Sequence, residues 1–275
     1  MAAAAFLIMW LALAVLSVFF AADGCARKAC VCGCDAANAR RAASVPLCTL
    51  CGIVLVLFAF GCAGILRAGA WAVLVCAAAA AVRLAVLGMR GGRSFFGVLR
   101  ARCCTPAWYL TFGGSALLAA LLAAQQPLFM QWDEFSFWGT AAKTVWQNDA
   151  LYTLAETTNL EARTYPPAAA LLSYAFGFLS DRFAPWTVYA AYGVMAFAVF
   201  GAAVGLAAKK NTAAFAFGSV LCVLAPFAVE SFAAGQTLTA DATAYADHLL
   251  GLLTAGGCAV WLGAARCGGP LPGRA

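Results

Sequence analysis

Gln131-Trp132-Asp133-Glu134-Phe135-Ser136-Phe137-Trp138-Gly139 sets two adjacent carboxylates among four aromatic side chains. It follows closely on the apolar run Trp108–Ala124, which is long enough to be read as a membrane span. Paired acids at the mouth of a span are expensive to keep and point to a role there. The stretch therefore predicts a catalytic or ligand-binding loop on the outer face of a polytopic membrane protein.

The rest of the chain agrees with a membrane setting. Of 275 residues, 65% are hydrophobic and 10% charged. A soluble globular domain has about 45–50% apolar and about 25% charged residues, so much of the apolar surplus must face lipid. The net charge of +6 does not imply nucleic acid, because the basic residues are spread between apolar runs.

A crossing helix needs about 20 apolar residues. Seven stretches qualify: Ala2–Ala22, Leu47–Leu66, Trp71–Leu87, Trp108–Ala124, Trp186–Ala208, Ala213–Val229 and Leu249–Ala265. The first has no charged side chain before it and is long for a signal peptide, so it reads as a retained span. Ala168–Leu179 is too short to cross and predicts a helix in or against the interface. The expected fold is an all-α bundle of about seven spans with extracytoplasmic juxtamembrane helices. It divides into a three-span region, 1–107, a region with the outer loop 125–185, spanning 108–265, and a tail, 266–275.

Lys and Arg set the orientation. Arg27, Lys28, Arg40 and Arg41 lie in 23–46, and Arg90, Arg93, Arg100 and Arg102 in 88–107. Lys209-Lys210 and then Arg266 and Arg274 fall on the same side if there are seven spans. That side is cytoplasmic, and the N-terminus lies outside. Nine of the eleven acids then fall on the opposite face, although they were not used to choose it. The expected location is a bacterial plasma membrane, crossed several times.

On the outer face, Phe135, Trp138, Ala142, Val145 and Trp146 share one face at helical spacing. This predicts a helix lying flat on the membrane, begun by Asp133 and Glu134 and ended near Asn148-Asp149. Thr153–Thr164 is polar and reads as a covering loop. Tyr165-Pro166-Pro167 fixes an extended approach to the next helix. In the second outer loop, Asp241, Tyr245 and His248 would share a helix face, with Asp247 at its edge. Each group has a plainer reading: a favourable helix start for the acid pair, a turn and nothing more for Tyr165, a polar cap for Asp241, Asp247 and His248.

Cys30, Cys32, Cys34, Cys48 and Cys51 offer thiols for zinc, but not at the spacing of a common finger. Reduced thiols in a reducing compartment explain them as well.

The ordered outer-face set resembles membrane glycosyltransferases of the GT-C class, which include protein O-mannosyltransferases and aminoarabinose transferases. The likeness rests on Asp133-Glu134 just outside a span, on Tyr165-Pro166-Pro167 opening a juxtamembrane helix, and on Asp247 ahead of Leu249-Leu250. It covers roughly residues 108–265. It implies sugar transfer from a polyprenyl-phosphate donor in the lipid to an unspecified acceptor. Asp133 or Glu134 would act as base. Lys143 or Arg163 would meet the donor phosphate, and Tyr165, Asp241, Asp247 and His248 would line the substrate site. No cofactor follows from it, except that a divalent cation could sit between the acids. A transporter whose acids bind a cation, and a non-catalytic membrane scaffold, are the competing readings.

Overall fold

The computed structural model describes residues 1–26, 35–130, 132, 134–152, 165–206, 251, 253–258 and 260–261, with backbone alone for 23–26, 35–41 and 206. Among these residues every regular element is a helix. In chain order they are α1 (Ala2–Ala26), α2 (Asp35–Cys62), α3 (Leu66–Cys103), α4 (Pro106–Gln125), α5 (Gly139–Asn148), α6 (Ala168–Gly177) and α7 (Pro185–Leu206). A wide π-type turn, Glu134–Trp138, leads directly into α5.

Five of these helices, α1 to α4 and α7, are long and apolar enough to cross a membrane. They match the first five expected spans. The sixth, 213–229, lies outside the described residues, and of the seventh only 251, 253–258, 260 and 261 are described, all helical. Burial ranks the spans: 83% of the apolar window of α7 is buried, against 22% for α3. Hence α7 is the hub of the bundle, and α3 turns one side to lipid with Trp71, Val75 and Val82 exposed.

Long-range contacts define two ends. At one end, the Phe6 ring meets Phe176 and Trp186, and Trp71 meets Phe178. This gathers the starts of α1, α3 and α7 around the end of α6. At the other end, Arg102 donates to the Ala21 carbonyl and the Trp108 indole N–H to that of Ala42. Successive spans therefore run in opposite directions, and loop 125–185 sits at the first end. That end carries Glu134, Asp149 and Asp181, whereas Arg90, Arg93, Arg100 and Arg102 gather towards the second.

Close approach of α4 to α7 depends on small residues and a hydroxyl. A Cβ at Gly201 would run into the Thr111 hydroxyl and stand 2.8 Å from the Ala107 carbonyl oxygen. The freed space lets Thr111 Oγ1 bond both to Ala107 O, 2.9 Å, and across to Phe197 O, 3.1 Å. Both contacts lie where α4 widens to a π-helix, Tyr109–Gly114. Small residues where helices touch are the usual means of packing in lipid, where apolar burial gives no drive between helices.

The structure departs from three expectations. The segment 88–107 is not a loop: α3 continues as helix to Cys103, bent at Gly92. Helix α6 is not laid on the outside of the bundle. Each residue from Ala169 to Gly177 is buried, and the helix packs among α1, α2, α5 and α7, so its apolar surface has protein to cover it. The apolar face of α5 does not rest on the membrane either. Ala142 and Val145 are buried, and the Trp146 N–H donates to Gly177 O at 3.0 Å, so that face turns inward onto α6. Periodicity shows that a helix has an apolar side; it does not say whether protein or lipid covers it.

Candidate functional site

The loop after α4 reverses the chain at Gln126, in left-handed conformation with φ 49°. Side chains then alternate: Leu128 and Met130 are exposed, while Phe129 turns in against Phe183 and Tyr189. Trp132 is 81% exposed, and Glu134 has no exposed surface at all.

Glu134 is aimed at the bundle. Its Oε2 accepts from the Met130 backbone N–H at 2.9 Å, and its Oε1 from the Tyr189 hydroxyl at 3.0 Å. That hydroxyl also lies 3.3 Å from Leu128 O. One carboxylate thus ties the loop 126–130, the turn 134–138 and the buried hub α7 together. A buried carboxyl group must be paid in hydrogen bonds, and here both oxygens have them.

The turn that begins at Glu134 carries the aromatic residues to Tyr165. Phe137 and Trp138 approach the Tyr165 ring edge-on, with centroids 4.6 and 5.5 Å away. The Tyr152 hydroxyl donates to the Tyr165 carbonyl at 2.8 Å. Burial pushes the Tyr152 phenol up to about 12, which favours its neutral, donating form. Tyr165 itself stays 47% exposed. The result is an aromatic corner in which Phe137 forms the floor and Tyr165 the open wall. Two features widely separated in sequence, the acid-bearing stretch and the Tyr-Pro-Pro turn, meet here.

A second anchor lies behind the corner. Asp149 ends α5 in left-handed conformation, φ 48°. Its Oδ1 accepts from the Tyr174 hydroxyl at 2.6 Å and its Oδ2 from Arg67 at 2.9 Å. Burial, and then the bond to Asp149, raise the Tyr174 phenol above its usual range. A cavity beside it, lined by Trp146, Ser173, Tyr174, Arg182 and Thr187, has about 10 Å³ of room. This suffices for about one water and is far below the few hundred Å³ of a small-molecule pocket. A sugar-sized ligand would have to meet the corner from its open side.

Comparison with protein-family models, with curated proteins and with solved structures finds no match.

Of the residues expected to form a site, Tyr165 stands on the open wall of the aromatic corner, and Glu134 opens the turn that carries Phe137 and Trp138 to it while its own carboxylate turns to Met130 and Tyr189. Lys143 is exposed on α5. Asp133, Arg163, Asp241, Asp247 and His248 lie outside the described residues, as do Cys30, Cys32 and Cys34. Among the described residues, no group of three or more His, Cys, Asp or Glu could hold a metal. Sequence reasoning missed Tyr152, Tyr174 and Tyr189, the three hydroxyls that hold the corner in place. Tyr174 and Tyr189 sit in apolar runs, and Tyr152 follows the polar end of α5, so only the partners that their hydroxyls meet reveal them.

Proposed function

We propose that this chain is an integral membrane glycosyltransferase. It takes a sugar from a polyprenyl-phosphate donor at the face opposite its arginine-rich end. The observation that carries the reading is the aromatic corner of Phe137, Trp138 and Tyr165. Edge-packed rings with one open wall suit the C–H face of a sugar, and they stand where a lipid-borne donor would arrive from the bilayer.

The two acids receive different roles. Glu134 is committed to Met130 and Tyr189 and acts as a positioning residue. Asp133, its neighbour in sequence, is the base that takes the proton from the acceptor hydroxyl as the bond to the sugar forms. Lys143 and Arg163 are the cations offered to the donor phosphate as charge develops on it.

Ion-coupled transport is the weaker alternative. It calls for acids within the spans, and the apolar spans Ala2–Ala22, Ala42–Cys62, Leu66–Cys103, Pro106–Gln125 and Pro185–Gly205 contain no Asp or Glu. A non-catalytic scaffold draws support from the burial of Glu134, which is what a purely structural acid would show.

Sugar transfer by membranes containing the Asp133→Asn chain, supplied with radiolabelled polyprenyl-phosphate sugars, tests the proposal. The expected result is a loss of turnover of at least about a hundredfold with folding unchanged. Transfer at the wild-type rate would remove Asp133 as base, and no transfer by the wild-type chain with any such donor would remove the enzyme.

A further inference from the structure

Helix α3 is too long for the membrane it crosses. Its 38 residues would reach about 57 Å at 1.5 Å each, against about 30 Å of hydrocarbon. The excess does not run straight into water. At Gly92 the backbone takes φ 51° and ψ −141°, which only glycine adopts without strain. Beyond it the chain turns back on itself. A Cβ on Gly88 would lie 3.2 Å from the Phe96 ring tip. On a straight helix eight residues are about 12 Å apart along the axis. The segment after the bend, Arg93 to Cys103, is tied at its far end by Arg102, whose guanidinium donates to Ala21 O at 2.6 Å.

This segment has two faces. Phe95, Leu99, Arg102 and Cys103 are partly covered. Arg93, Phe96 and Arg100, spaced i, i+3 and i+7, form the open face, and Phe96 is 61% exposed. Along that face an aromatic residue comes between two arginines in helical register, beyond the bend that follows the span. Among the described residues, neither Arg93 nor Arg100 has an ion pair.

The geometry points to an interfacial anchor: Arg93–Cys103 lies along the leaflet at the arginine-rich end and binds anionic phospholipid headgroups through Arg93 and Arg100, with Phe96 seated at the acyl boundary. Three features select lipid over an acidic protein. The segment emerges directly from a span, so the headgroup layer is its nearest neighbour. Its open face alternates positive charge with an aromatic ring, as the charged and apolar strata of that layer do. Arginine forks match phosphate oxygens in pairs.

The full-length chain, extracted in a neutral detergent with equimolar phosphatidylglycerol and phosphatidylcholine, provides the test. Native mass spectrometry counts the lipids that stay bound. The wild type should retain phosphatidylglycerol in excess, and 0.5 M NaCl should erase most of that excess. In Arg93→Gln/Arg100→Gln the phosphatidylglycerol-to-phosphatidylcholine ratio should fall about tenfold. Arg67→Gln, at the other end of the bundle, should leave the ratio unchanged. Equal retention of the two lipids by the wild type would overturn the assignment, as would an excess indifferent to salt or to the double substitution. If the double variant fails to fold, the salt response of the wild type still decides. Co-purification of an acidic protein or nucleic acid on this face in place of lipid would also overturn it.

Discussion

Removing the Glu134 carboxylate gives the sharpest test of its anchoring role. In Glu134→Ala the Met130 N–H, which is only partly buried, loses its acceptor, at a cost of about 0.5–1.5 kcal/mol. The Tyr189 hydroxyl loses less, because Leu128 O stands 3.3 Å away as a second acceptor. With a loss there of about 0.5–1 kcal/mol, the total is about 1–2.5 kcal/mol. Glu134→Gln keeps one accepting oxygen but turns an NH₂ towards one of the two donors, so about half the loss remains. Tyr189→Phe should cost about 1 kcal/mol, since Glu134 retains the Met130 N–H. The double-mutant cycle between positions 134 and 189 should give a coupling of about 0.6 kcal/mol and no more than about 1.7, the average and the maximum for hydrogen bonds between membrane helices. Reversible unfolding in mixed micelles, followed by tryptophan fluorescence, measures all three variants. The reasoning fails if Glu134→Ala is as stable as wild type, or if the cycle shows no coupling. Activity separates the acids further: transfer by Glu134→Gln should track its folded fraction, whereas Asp133→Asn should lose turnover while remaining folded.

The remaining predictions concern the same end of the bundle and the helix contacts beneath it. Arg67→Ala should cost no more than about 1 kcal/mol in thermal or chemical unfolding, because the Arg67–Asp149 pair is solvent-screened. Asp149→Leu should cost about 2–4 kcal/mol in the same assay, since it orphans the Tyr174 hydroxyl and puts a branched residue at φ 48°. Gly201→Val should destabilise by about 1–3 kcal/mol or more through overlap with Thr111 and Ala107, and a neutral result would mean that α4 and α7 are less close than described. Alkaline unfolding has a defined sign. Burial raises the Tyr152 phenol to about 12 and moves Tyr174 upward as well. Their contribution is therefore whole below the unfolded value of about 10 and falls as pH rises through 12. Tyr152→Phe should flatten that fall, as read by Tm against pH between 9 and 12.

The sequence by itself determined that the chain is helical, with helices long and apolar enough to cross a membrane, because hydrophobicity over 20 residues is a local property that needs no partner. It placed three of the five described crossing helices within a few residues, the end of α5 at Asn148 and the start of α6 after Tyr165-Pro166-Pro167, but began α2 at Leu47 where the helix starts at Asp35. It missed the length of α3, since the arginines in 88–103 read as loop although a bent helix accommodates them at the membrane surface. Only the tertiary structure decided which surfaces face protein. The apolar sides of α5 and α6 look the same in sequence whether lipid or α7 covers them. It also decided the fate of the acid pair's second member. That Glu134 turns inward depends on a hydroxyl 55 residues away on α7, and no local pattern encodes a partner at that distance.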